Sequence, residues 1–78
     1  MNKKFNSDGL KSLRQKRFLT RRRMVKQLDS KYKLYITETG LKMYEDGNVA
    51  KPNLIFTSHL ADFFGVDINY FIENNMSK

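Results

Sequence analysis

The sequence contains no cysteine. A disulfide framework and a thiolate metal site are therefore excluded. It has no apolar run near the roughly 18 residues of a membrane span, and its polar N-terminus lacks the apolar core of a signal peptide. The expectation is a soluble protein of the cytoplasm. His59 is the only histidine and sits in an apolar, core-forming stretch. No carboxylate–histidine spacing suggests a metal site, and no glycine-rich loop could cradle a phosphate. Asp46-Gly47-Asn48 is a turn signal, too short for a calcium loop. No enzyme, no metal and no cofactor are expected. There is no tryptophan, and the apolar face of residues 10–28 is narrow, which argues against a helix lying on a membrane surface.

Acids are also scarce, and unevenly so. Residues 1–51 hold fourteen Lys or Arg against five acids, a net +9, whereas residues 52–78 hold one lysine against three acids, a net −2. One half of a small chain is thus strongly cationic, a pattern that attracts polyanions, nucleic acid foremost. With 78 residues the chain has room for one domain with a thin core, burying only about 60% of the surface its unfolded form exposes.

Apolar spacing and capping residues divide the chain into short helices. Residues 1–8, MNKKFNSD, read as a flexible basic arm. From Gly9 to Arg17, Leu10 and Leu13 share a face among cations. Thr20 is a good N-cap for a helix with Met24, Val25 and Leu28 on one stripe. Arg21, Arg22 and Arg23 fill its first turn, where the helix dipole disfavours cations, which suggests an external anion; the alternative is a solvated run tolerated at a few tenths of a kcal/mol each. Residues 29–35 do not read as helix, and 31–36 alternate as a short extended segment would. In ITETGLKMYEDG (36–47), Thr37 is an N-cap, Ile36 and Leu41 form a hydrophobic staple, and Gly47-Asn48 ends the helix. Pro52 and Asn53 open the next helix, with Leu54, Ile55, Phe56, Leu60, Ala61, Phe63 and Phe64 as its apolar face and Gly65 at its end. Asp67 caps a last helix, with Val66 and Phe71 as its staple. The expected class is all-α, with five short helices.

LKSLRQKRFLTRRRMVKQL (10–28), ITETGLKMYEDG (36–47) and PNLIFTSHLADFFGVDINYFI (52–72), in this order and spacing, resemble the helix-turn-helix domain of the phage repressor and Cro family. The resemblance implies a lambda-repressor-like domain over 9–73 with a C-terminal tail at 74–78. In it LTRRRMVKQL is the positioning helix and 37–46 the recognition helix. The turn between these two is about six residues longer than the family's, which normally takes three or four residues.

The resemblance also implies roles for individual residues. Glu38, Thr39 and Gly40 fall where the family reads bases, with Met43 one turn later. Thr37 and Arg21 fall on phosphate-contacting positions, and Lys51 on a basic position before the proline. Arg14 and Glu45 fall on a pair that forms a structural salt bridge. Arg22, Arg23, Lys31, Lys33 and Lys42 add phosphate-binding candidates. A carboxylate at Glu38 accepts from a cytosine amino group; Thr39 and Met43 suit a thymine methyl. Gly40 inside the helix costs roughly 1 kcal/mol against alanine. The implied protein is a Cro-like repressor from a phage or mobile element, binding double-stranded operator DNA as a homodimer, with a regulatory protein partner as a further option. The alternative is an inhibitor- or antitoxin-like interaction module, using Phe63, Phe64 and Tyr70–Ile72 as an apolar partner surface.

Overall fold

A computed structural model describes residues 3–49 and 51–74. A short strand β1 (Lys3–Phe5) leads into helix α1 (Ser7–Lys16). Three more helices follow: α2 (Arg21–Tyr32), α3 (Glu38–Glu45) and α4 (Leu54–Phe64). A single 3-10 turn, Ile68–Tyr70, brings the chain to strand β2 (Ile72–Asn74), which pairs antiparallel with β1, Phe5 opposite Ile72. The class is all-α. Among the described residues no helix is long and apolar enough to cross a membrane.

The caps explain where helices begin. Thr20 Oγ1 accepts from the Arg23 N–H at 3.1 Å, Thr37 Oγ1 from Gly40 at 2.9 Å, and Asn53 Oδ1 from Phe56 at 3.0 Å. Each satisfies a backbone donor that the first turn leaves without an intrahelical partner. Asn6 caps α1 through the Gly9 N–H, earlier than the start expected at Gly9. Its side-chain amide also donates to the Tyr70 carbonyl at 3.0 Å. Gly9 is glycine because this junction is crowded: a Cβ there would stand 2.9 Å from the Tyr70 ring.

The core is built from Leu10, Met24, Leu28, Leu41, Leu60 and Phe71, all fully buried. Each such side chain contributes about 1.5–3 kcal/mol through burial. Phe5 belongs to it as well, edge-on to Tyr44 at 5.0 Å and stacked with Phe71 at 5.7 Å. The stretch expected as a flexible arm over 1–8 is therefore tied down from Lys3 onward, and α1 begins inside it. A lone aromatic among polar residues has no periodicity to announce that it is a core residue. Residues 1, 2 and 75–78 lie outside the described residues, as do most of the expected tail.

Three other expectations change. The segment 29–35 is not all loop, because α2 runs on to Tyr32. Met24, Leu28 and Tyr32 continue one helical stripe; the Tyr32 hydroxyl donates to Asp62 and its ring stacks on His59 at 4.6 Å. The turn to α3 is then residues 33–37, starting at a left-handed Lys33, and most of the length expected in the turn is helix. The fifth helix is only the 3-10 turn, since Ile72 leaves it to pair with Phe5. Leu54 and Ile55 do not face inward; they are 52% and 68% exposed. Eleven residues of α4 carry more apolar side chains than one buried stripe can take, and the first turn loses.

The Tyr32 phenol is pushed from 10.0 up to about 12 by removal from water, by its hydrogen bond to Asp62 and by the Asp62 charge. The folded chain thus favours the neutral phenol. The stabilisation is complete below the ordinary value and is lost as pH rises through about 12. Solvent screening keeps it at about 1 kcal/mol or less. Chemical denaturation between pH 10 and 12 should show the wild type losing stability relative to Tyr32→Phe; parallel pH curves would contradict the contact.

Candidate nucleic-acid interface

Helices α2 and α3 are held at their mutual angle by charge buried beneath them. Glu45, near the end of α3, has a fully buried side chain. Arg14 of α1 meets it with two bonds, Nε to Oε2 at 2.6 Å and Nη2 to Oε1 at 3.0 Å. The third arm of the Arg14 fork donates to the Leu19 carbonyl at 2.7 Å, in the turn before α2. Arg21 of α2 adds a bond from Nε to Oε1 at 3.0 Å. One carboxylate thus joins three helices. Two guanidiniums against one carboxylate leave a surplus positive charge, and it is directed outward, since Arg21 is 30% exposed against 10% for Arg14.

A groove of about 460 Å³ opens above this triad, between the first turns of α2 and α3. It is lined by Arg14, Thr20, Arg21 and Arg22 and by Glu38, Thr39 and Lys42. Two helix N-termini meet here, and the positive ends of their dipoles add to the arginines. The groove suits an anion, and Glu38 is its one exposed carboxylate.

The outer face of α3 exposes Glu38, Thr39, Lys42, Met43 and Asp46, while Leu41 and Glu45 point inward. This is one helical face at spacings of three and four. Lys42 donates to Asp46 at 2.7 Å on this surface. The hydrogen bond from Lys42, with the charges of Lys42, Arg21 and Lys11, holds the Asp46 carboxyl below its usual value.

Of the residues expected to read bases, Glu38 and Thr39 line the groove, and Met43 stands on the same outer face beyond its edge. Gly40 does not belong with them. It is half-buried, and a Cβ there would lie 3.1 Å from Ile36 Cγ1 and 3.2 Å from Thr37 Oγ1. Among the expected phosphate ligands, Arg21, Arg22 and Lys42 line the groove and Arg23 is exposed. Arg21 has its Nε committed to Glu45. Thr37 is exposed, with its hydroxyl capping α3. Lys33 and Lys51 are exposed outside the groove, and Lys31 lies over the Tyr32 ring, 5.4 Å from its centroid. The apolar partner surface expected at Phe63, Phe64 and Tyr70–Ile72 is largely absent: all but Tyr70 are buried, and Arg17 covers the Phe63 and Phe64 rings. What the sequence reading missed is the second arginine on Glu45 and the place of Thr20 on the groove. Neither has a local signal, because both arise from contact between helices far apart in sequence.

Removing the buried charge should be costly. Glu45→Gln leaves two guanidiniums without a counter-charge and is expected to lose about 3–5 kcal/mol in denaturant melts. Arg21→Gln, at the exposed end of the triad, should lose about 1 kcal/mol. Equal losses from both would contradict this division. Compared with known proteins, the chain matches no family model, no curated protein and no solved structure.

Proposed function

We propose that this chain is a sequence-specific double-stranded DNA-binding regulator of the helix-turn-helix kind, with α3 as the recognition helix. The observation that carries the reading is the exposed face of α3 beside a cationic groove at the N-termini of α2 and α3. A phosphate in the groove would meet Arg21, Arg22 and Lys42, and a major groove beyond it would receive Glu38, Thr39 and Met43. Phosphate contacts set the register, and the three α3 side chains discriminate bases. Glu38 acts by selection, because a carboxylate close to phosphates is tolerated only where a base supplies a donor.

The relation to the repressor and Cro family is part of this proposal. A 12-residue α2 and a five-residue turn distinguish this chain within such a relation. The protein would act in the cytoplasm as a homodimeric repressor on half-sites about one helical turn apart. Leu54 and Ile55 supply exposed apolar surface in the C-terminal half. That surface also supports the second reading, an interaction module that binds a protein partner there.

Fluorescence anisotropy with labelled duplexes tests the DNA reading. If about five phosphates are neutralised, log affinity should fall with log salt at a slope near −4.5. Replacing both Arg22 and Arg23 by Gln should make the slope shallower by about 1.8 and weaken all duplexes alike. Thr39→Ala should weaken one sequence more than others. Failure of the wild type to bind duplex at about 0.1 M salt would remove the DNA reading and leave the interaction module.

A further inference from the structure

Phe18 combines two unfavourable features. Its backbone lies in the left-handed region at φ 56°, which a bulky residue adopts only against strain. Its ring is 92% exposed, so burial in the fold does not offset that strain.

The molecule contains its own controls. After α3, the Asn48 N–H donates to the Met43 carbonyl at 2.9 Å and the Gly47 N–H to Tyr44 at 3.4 Å. After α4, Val66 donates to Ala61 at 2.9 Å and Gly65 to Asp62 at 3.2 Å. After α1, Leu19 donates to Arg14 at 3.2 Å and Phe18 to Gln15 at 3.0 Å. All three are the same Schellman closure. Gly47 and Gly65 take the left-handed position in two of them, as the missing Cβ favours. The third has phenylalanine, although glycine would keep both hydrogen bonds and remove the strain.

The position of Phe18 indicates what its ring meets. It precedes Thr20 by two residues, at most about 7 Å along the chain. Thr20, Arg21 and Arg22 line the cationic groove. A ligand that sets an anion in that groove and an apolar face one side-chain length away is a nucleotide strand, in which every phosphate is joined to a sugar. We propose that Phe18 is a nucleic-acid contact, its ring seated on the deoxyribose face of the backbone whose phosphate enters the groove. The inference rests on the DNA reading above and adds an apolar contact to its phosphate and base contacts. Strain and exposure at this residue are then features of the free protein that binding offsets.

The chain has no tryptophan, so Phe18→Trp creates a single reporter. On titration with duplex its emission should be quenched in step with anisotropy, and affinity should stay within about threefold of wild type. Phe18→Asn tolerates the left-handed backbone; it should melt at or above the wild-type temperature and bind duplex about tenfold more weakly. Wild-type affinity in Phe18→Asn, or unchanged emission while anisotropy reports binding, overturns this contact and leaves the DNA reading intact. Emission that shifts with protein concentration alone, without duplex, assigns the ring to a self-interface and also overturns it. Absence of duplex binding by the wild type removes both.

Discussion

Glu45 is the one carboxylate in the described structure held entirely away from water and between two arginines. An isolated charge in that place would cost several kcal/mol, and the Arg14 fork and Arg21 Nε together make it tolerable. Because those partners come from α1 and α2 while Glu45 belongs to α3, satisfying the charge fixes where the three helices stand. Apolar packing of Leu10, Met24, Leu28 and Leu41 holds the same three helices together. Packing of leucines tolerates small slides, whereas three short directional bonds to one carboxylate tolerate few.

The same constraint shapes the surface. Two guanidiniums on one carboxylate leave positive charge under the groove where α2 and α3 begin, and the positive ends of both helix dipoles adjoin it. The arginines of the α2 first turn are unfavourable for an isolated helix, but here they divide their work. Arg21 turns inward to Glu45, while Arg22 lines the groove and Arg23 stays exposed. With Glu45 and Leu41 turned inward, α3 has one face left for solvent, and it carries side chains of mixed chemistry rather than lysines alone. That mixture suits a surface that discriminates among partners more than one that merely attracts them.

Local chemistry was legible in the sequence, and long-range pairing mostly was not. Thr20, Thr37, Asn53 and Asp67 each stand as caps because capping depends on residues two or three apart. The left-handed endings at Gly47 and Gly65 are legible for the same reason. Tyr32 misled, since its alternation with Leu34 and Ile36 imitates a strand. Its place on the α2 stripe is settled by Asp62 and His59, thirty and twenty-seven residues onward. Phe5 was hidden because its partners, Tyr44 and Phe71, lie far along the chain. Within the site, Glu38 and Thr39 could be placed on the outer face from helical spacing alone. The pairing of Arg14 with Glu45, thirty-one residues apart, was suggested only by a family resemblance, and the bond from Arg21 by nothing in the sequence.

On the proposal above, α3 reads base sequence. Selection from a random duplex library at roughly physiological salt, followed by sequencing of the bound fraction, tests it most directly. Enrichment of a two-fold symmetric motif with half-sites about one helical turn apart is the expected result. Retention of duplexes without any enriched motif, released uniformly as salt rises, would contradict it and reduce the groove to a general polyanion site.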